Sequence, residues 1–161
     1  LVLRALFAGP AHPLFRALAR PRDEPRQALF IFVPLVTTAV GGLASGLLAG
    51  SFATVGYLVA GWGDAVGEPV GARWGRHTYR VPSLAGVAAV RSWEGTGAVL
   101  VMSWAAAGTA LLGLGVPWPR AAAVAGAVGA VTAVVEAVSH HGTDNLTVQL
   151  AASLVARTLA G

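Results

Sequence analysis

Long apolar stretches alternate with short polar segments along this chain of 161 residues. A membrane-spanning helix needs about 20 mainly apolar residues. The stretches that approach or meet that length are residues 27–49, 51–72, 96–115, 120–139 and 145–160. The pattern therefore predicts an all-α fold, a polytopic helical bundle of about five spans forming one transmembrane domain over residues 1–161. Polar loops are predicted near 9–26, 73–95 and 140–144, and residues 1–8 are interpreted as the end of an earlier span in a longer protein.

The composition agrees with a membrane protein. Charged residues make up 11% of the chain and hydrophobic residues 55%, whereas a soluble domain typically has about 25% charged residues. Cysteine is absent, which excludes disulfides and thiolate metal sites. The cationic side chains are all Arg, which fits GC-rich coding in a bacterium. Nucleic-acid binding is not expected, because the Arg residues lie at the ends of apolar segments and not on one polar face.

The Arg positions predict the topology. One group precedes the first full span and a second group follows the second span: Arg16, Arg20, Arg22 and Arg26, then Arg73, Arg76, Arg80 and Arg91. Two crossings separate the groups, so both lie on one face, and the positive-inside rule makes that face cytoplasmic. The fourth span returns to the same face. We therefore expect a site on the cytoplasmic side of a bacterial cytoplasmic membrane.

The acidic residues are few and unusually placed. Asp23 and Glu24 lie in an Arg-rich loop, and the other five lie in or beside apolar stretches: Asp64, Glu68, Glu94, Glu136 and Asp144. A charged side chain at membrane depth costs about 2.5–3.5 kcal/mol or more, unless it has a partner or lines a wet cavity. The predicted topology brings all five to one membrane face. They therefore indicate a metal or phosphate site there.

The first chemically informative segment is in the second span. Asp64 and Glu68 are four residues apart, so on a helix they share one face and can hold a divalent ion together. Gly67 and Gly71 have the same spacing and permit close approach by another helix or by a ligand. The alternative is a small-residue packing face with Arg side chains that extend to water. That alternative leaves Asp64 unexplained.

Phosphate-binding chemistry is predicted around the loop that follows. Arg73 and Arg76 come at the membrane surface, where guanidinium groups bind phosphate oxygens well. Arg91, Ser92 and Gly95 precede the third span, where a helix begins, and helix N-termini favour anions. This suits a nucleotide phosphate with its metal ion. The alternative is a capping Ser beside an interfacial Trp and an ion pair.

The third segment follows the fourth span. Glu136 and His140 are four residues apart, the spacing of a two-ligand helical face. Zinc is disfavoured because a third ligand is missing. Asp144 and Asn145 favour a hard Mg²⁺ site instead. We expect His141 to be a solvated loop residue.

These three segments, in this order, resemble the polyprenol kinase family, which includes dolichol kinase and phytol kinase. The family has a Gly-Asp-rich helix, then Lys-Ser-x-Glu-Gly, then an acidic helix leading to Asp-Asn-Leu. The corresponding stretches here are GDAVGEPVGARWGRH, RSWEG and E-x7-DNLTV. The resemblance covers roughly residues 22–155. Arg91 replaces the family's Lys, which keeps the charge and changes its geometry, and the segment 79–90 is longer than usual.

The resemblance implies a membrane enzyme that uses CTP and a divalent ion such as Mg²⁺ to phosphorylate an isoprenoid alcohol of the phytol, farnesol, dolichol or polyprenol type. The implied metal ligands are Asp64, Glu68, Glu94 and Asp144. The implied nucleotide-binding residues are Arg73, Arg76, Arg91, Ser92, Gly95 and Asn145. The implied catalytic residues are Asp64, Glu136, His140 and Asp144, the last three being candidates for the base.

Two other functions are consistent with parts of the sequence. Phosphatidate cytidylyltransferases share a similar Gly-Asp stretch, and Trp93 favours them, but their C-terminal signature is absent. Such an enzyme would make a CDP-linked lipid. A non-catalytic ion transporter could use the same acids as a cation path. The Gly- and Ala-rich third and fourth spans also permit a homo-oligomer.

Overall fold

The computed structural model describes residues 1–83 and 87–161, apart from the side chains of Leu3 and Arg22, and its main elements are helices. The helices are α1 (Val2–Ala8), α2 (Pro13–Leu18), α3 (Gln27–Ala49), α4 (Ala53–Trp74), α5 (Trp93–Gly113), α6 (Trp118–Val138) and α7 (Asp144–Ala160). Two strands, β1 (Thr78–Val81) and β2 (Ala89–Ser92), pair antiparallel between α4 and α5. Short 3₁₀ turns cover Gly9–Ala11, Pro21–Asp23 and Gly50–Phe52. The all-α prediction is confirmed for the bulk of the chain.

In the described part of the chain, three helical stretches are long and apolar enough to cross a membrane: Gln27–Trp74, Trp93–Gly113 and Trp118–Val138. The first has 48 residues and contains both α3 and α4. A continuous helix of that length would extend about 70 Å, more than twice a hydrocarbon core of about 30 Å. The 3₁₀ turn at Gly50–Phe52 divides it, with Gly50 at a φ of 58°. The predicted count of five spans is not confirmed.

Helices α4 to α7 form an antiparallel bundle, and α3 packs mainly against α7. One half of the bundle has an apolar core of small side chains. Its members include Val55, Val59, Ala106, Leu111, Ala125, Val128 and Ala152. Small residues let helix backbones approach closely, which replaces the hydrophobic driving force that is missing between helices in lipid. We call this half the core end.

The predicted close approach at Gly67 occurs between α4 and α5. A Cβ added at Gly67 would collide with the side chain of Val99 on α5. A Cβ at Gly95 would lie 3.0 Å from the carbonyl oxygen of Gly67 and 3.2 Å from the Cα of Gly71. These glycines therefore set the distance between α4 and α5 next to the pocket described below.

The outer surface of α3 carries large apolar side chains. Exposed residues there include Phe32, Leu35, Val40, Leu43 and Leu47. Contiguous exposed apolar surface of this kind marks an interaction surface, such as one for lipid or for a partner protein. Together with the lengths of the apolar helices, it fits a membrane protein.

Two loops contain more structure than the hydrophobic pattern predicted. The predicted loop 73–95 holds the β1–β2 hairpin, and α5 begins at Trp93 because the Ser92 hydroxyl accepts a hydrogen bond from the Gly95 amide at 3.1 Å. The predicted loop 9–26 holds α2, whose first residue is Pro13 and whose cap is the His12 ring. Capping groups, which the apolar pattern does not record, account for the starts of α5 and α2.

Candidate active site

A polar pocket of about 250 Å³ lies at the end of the bundle opposite the core end. It is formed by the second half of α4, strand β2, the start of α5, the last turn of α6 and the start of α7. Its polar lining side chains include Arg20, Asp64, Glu68, Arg91, Ser92, Glu136, His141, Asp144 and Asn145. The three predicted segments therefore meet in one pocket.

Arg91, on β2, joins two carboxylates at the pocket wall. Its Nη1 lies 2.9 Å from Glu136 Oε1, and its Nη2 donates a hydrogen bond to Asp144 Oδ2 at 2.6 Å. The Nη1 contact is ionic without the alignment of a hydrogen bond. The three side chains are only 13%, 15% and 18% exposed. Arg91 therefore connects the end of α6 to the start of α7 through a largely buried ion-pair network.

Asp64 and Glu68 line the pocket from α4, as their spacing predicted. Asp64 lies within electrostatic reach of Asp144, Glu136, Arg20 and Arg91. Glu68 lies one turn further along, and its Oε2 is 2.9 Å from the Arg20 Nη1. Arg20 was not among the predicted site residues.

The prediction for His141 was wrong. Its side chain is 16% exposed, its Nε2 lies 3.1 Å from Asp23 Oδ1, and its ring stacks on Phe30 with 4.7 Å between ring centroids. His140 is exposed and is not among the residues that line the pocket. The two neighbouring histidines thus differ completely in environment. The contact between Asp23 and His141 joins residues 118 positions apart, so no local sequence signal indicated it.

The structure does not bring Glu94, Arg73 and Arg76 into the pocket. Glu94 is in the first turn of α5 and its Oε1 lies 2.8 Å from His77 Nδ1, outside the pocket lining. Arg73 lies over the exposed Trp74 ring at 5.3 Å, and Arg76 is exposed. The last turn of α4 extends beyond the pocket and carries Arg73 past it. The predicted metal role of Glu94 and phosphate roles of Arg73 and Arg76 therefore find no support in this geometry.

Three further predicted residues do line the pocket. Ser92 is buried and its hydroxyl caps α5, while Gly95 packs against α4. The backbone N–H of Asn145 donates a hydrogen bond to Asp144 Oδ1 at 3.1 Å. Each of these contacts has a structural purpose within the protein. Nucleotide binding by these residues stays a prediction.

The chemistry of the pocket fits a divalent cation that arrives with phosphates. Among the residues that the structure describes, its lining has four carboxylates and two guanidinium groups: Asp64, Glu68, Glu136 and Asp144 against Arg20 and Arg91. Glu136 Oε2 is buried and has no hydrogen-bond partner within residues 1–83 and 87–161. Over those same ranges, no three His, Asp or Glu side chains are grouped closely enough to hold a metal ion by themselves. Mg²⁺ usually takes only one or two carboxylates and completes its coordination with water and substrate phosphates.

Comparison with known proteins gives one informative relative. Over 125 residues, 71% of this chain, the sequence is 38% identical to a phytol kinase from Synechocystis sp. (strain PCC 6803). The chain spans about half the length of that relative, 50%. No family profile matches the chain, and no solved structure matches it. The matched stretch is therefore assigned to the polyprenol and phytol kinase family, which confirms the resemblance drawn from its motifs.

Proposed function

We propose that the pocket is the active site of a kinase that transfers a phosphoryl group from CTP to a membrane isoprenoid alcohol and releases CDP. The observation that carries the proposal is the meeting of three distant segments around Arg91 in one pocket, at the end of an apolar bundle. The phytol kinase relative supports the reaction type and makes phytol the first acceptor to test.

The roles of the residues follow from the demands of phosphoryl transfer, which asks the protein mainly for positioning and charge stabilisation. Asp64 and Asp144 are the proposed ligands of Mg²⁺, with Glu68 in support, and the bound ion would neutralise charge on the phosphates. Arg91 has five N–H donors, so its two carboxylate partners leave donors for phosphoryl oxygens. The ion pairs also hold the guanidinium at one position on the wall.

The size of the pocket indicates which part of each substrate it takes. Its 250 Å³ lies below the range of about 300–1,000 Å³ that small-molecule sites commonly have. We infer that the terminal phosphates and the hydroxyl end of the alcohol enter, while the cytosine and the isoprenoid tail stay outside. Phe30, Pro34 and Val99 supply apolar lining next to the charged groups.

The proposed setting is the cytoplasmic face of a bacterial membrane. Arg20 lines the pocket. The exposed residues Arg73, Arg76 and Arg80 follow the pocket-lining part of α4 in the sequence. Positive residues of this density are typical of cytoplasmic loops. A site at that face lets a water-soluble nucleotide meet a lipid-soluble alcohol. Any homo-oligomer would form through the outer surfaces of the bundle.

The test is a product analysis with membranes that contain this chain. They are incubated with phytol, Mg²⁺ and CTP labelled on the γ-phosphate. The kinase proposal expects the label in phytyl phosphate, together with an equal amount of unlabelled CDP. Chelation of Mg²⁺ should abolish the formation of both products. Pyrophosphate with a CDP-linked lipid would replace the proposal with cytidylyl transfer. Absence of CTP turnover with any isoprenoid alcohol would overturn the catalytic proposal.

A further inference from the structure

The side chain of His141 is fixed in the wall of the pocket by contacts on several sides. The ring bonds to Asp23 at 3.1 Å and stacks on Phe30 with an angle of 26° between the ring planes. The His141 amide donates to the Pro82 carbonyl at 3.0 Å. The next residue, Gly142, accepts a hydrogen bond from the Thr37 hydroxyl at 3.1 Å. A side chain held this firmly in a pocket wall is preorganised to act on a ligand.

The contact with Asp23 determines which ring nitrogen carries the proton. The Asp23 side chain is 4% exposed, and an ionised carboxylate only accepts hydrogen bonds. Nε2 of His141 is therefore the donor, which leaves a lone pair on Nδ1. Among the side chains that the structure describes, none forms a second hydrogen bond with the ring. Nδ1 is thus the ring nitrogen of this pocket-lining side chain that is left to accept a proton.

The other candidate bases at the pocket are less suited. Glu136 and Asp144 are both engaged in ion pairs with Arg91, at 2.9 Å and 2.6 Å. Glu68 is similarly paired with Arg20. His140 is exposed outside the pocket lining. Asp64 is already the proposed ligand of the Mg²⁺ ion that neutralises the phosphates.

We propose that His141 is the general base that activates the acceptor hydroxyl, and that Asp23 is its positioning residue. The proposal rests on the kinase function proposed above. As the alcohol oxygen bonds to the γ-phosphorus of the nucleoside triphosphate, the hydroxyl proton passes to His141 Nδ1. The bond from phosphorus to the bridging oxygen breaks, and the nucleoside diphosphate leaves with its electron pair. Asp23 stabilises the imidazolium until its proton passes to solvent, as buried carboxylates do in other Asp–His pairs.

The first test compares the two adjacent histidines. We expect His141→Gln to lower kcat for phytol phosphorylation by about 100-fold or more, the range of general-base catalysis. The KM for CTP should change little, because binding of the nucleotide does not require the general base. His140→Gln is the matched control in the same loop and should stay within about twofold. Equal kcat values for the two variants would overturn the proposal.

The second test separates a base from a structural contact. In His141→Ala, added imidazole should restore kcat at least several-fold, whereas 1-methylpyrrole, which matches its ring size and lacks a basic nitrogen, should not. Rescue by both compounds alike, or by neither, would overturn the role as base. Binding of a fluorescent CTP analogue to the same variant reports that the fold is intact.

The third test addresses Asp23. Asp23→Asn should lower kcat by about tenfold or more, because the amide supports the wrong tautomer and a charged imidazolium poorly. In Asp23→Asn/His141→Gln, kcat should fall no further than in His141→Gln alone, since the two residues act as a unit. Additive losses would contradict the pair. If the unaltered chain phosphorylates phytol while all these variants keep full activity, only this inference fails; if it phosphorylates no alcohol, the kinase proposal fails first.

Discussion

The two ends of the bundle are built from the same four helices by opposite means. At the core end, α4, α5, α6 and α7 meet through small apolar side chains such as Val55, Ala106, Val128 and Ala152. At the pocket end, the same helices carry Asp64, Gly95, Glu136 and Asp144. Packing holds one end together, whereas at the other end the ion pairs of Arg91 join α6 to α7 beside the close glycine contact of α4 with α5.

The difference shows where stability and function coincide. A packed apolar end tolerates loss of a side chain at a cost in stability alone. An end held by buried charges loses stability and function together when its central cation is removed, because the carboxylates left behind repel each other and lack partners. The comparison therefore makes four predictions, which are described from the largest expected effect to the smallest.

Arg91→Leu should have the largest effect. It leaves Glu136 and Asp144 largely buried without their partner, and breaking a buried pair in this way costs about 3–5 kcal/mol in the free energy of unfolding. Phosphoryl transfer should also be abolished. Unfolding in mixed micelles and the CTP–phytol assay measure the two effects. Arg80→Leu, at an exposed position on β1, is the control and should be nearly silent; equal stability of both variants would contradict the role of Arg91.

Asp64→Asn should separate function from stability at the pocket end. Asp64 lies within electrostatic reach of Asp144 and Glu136, so removing its charge relieves repulsion, and the unfolding free energy should hold or rise. The rate of transfer should fall by about 100-fold or more, as for loss of one preorganised electrostatic contact. The Mg²⁺ dependence of the rate should shift to higher concentration. A variant with normal Mg²⁺ dependence would remove Asp64 from the metal site.

Leu111→Ala tests the core end. Leu111 is fully buried, and its truncation leaves a cavity that costs about 2 kcal/mol or more in unfolding free energy. The kcat per folded molecule should stay near that of the unaltered chain, because the pocket is at the opposite end. Activity corrected for the folded fraction checks this. A loss of kcat as large as that of Asp64→Asn would show that the two ends are not independent.

Glu94→Gln should have the smallest effect. Glu94 lies outside the pocket and pairs with the exposed His77. We expect kcat and its Mg²⁺ dependence to stay within about twofold. Titration of the rate with Mg²⁺, side by side with Asp64→Asn, is the measurement. A clear shift in Mg²⁺ dependence would restore the metal role that the sequence predicted for Glu94.

Much of the fold could be predicted because it depends on local pattern. Apolar length predicted the major helices, and the spacing of Asp64 and Glu68 placed both on the pocket side of α4. The Arg positions predicted that the three segments lie at one end of the bundle, although they are far apart in sequence. The hairpin and the start of α5 were missed because short strands and caps depend on a few polar atoms, such as the Ser92 hydroxyl.

The details of the site were harder to predict because they depend on side-chain direction. A motif places Glu94 three residues after Arg91, yet the Arg91 side chain lines the pocket and the Glu94 side chain contacts His77 outside it. His140 and His141 are likewise adjacent in sequence, yet only His141 lines the pocket. Asp23 and Arg20 reach the site through tertiary contacts with residues 118 and 48 positions away. Only three-dimensional packing determines such contacts.

The most direct test of the central claim is a structure of this chain with Mg²⁺ and a CTP analogue that resists transfer. The account predicts the terminal phosphates inside the pocket, next to Arg91, with the ion between them and the carboxylates of Asp64 and Asp144. Phosphates bound instead at the exposed Arg73 and Arg76, with an empty pocket, would contradict it.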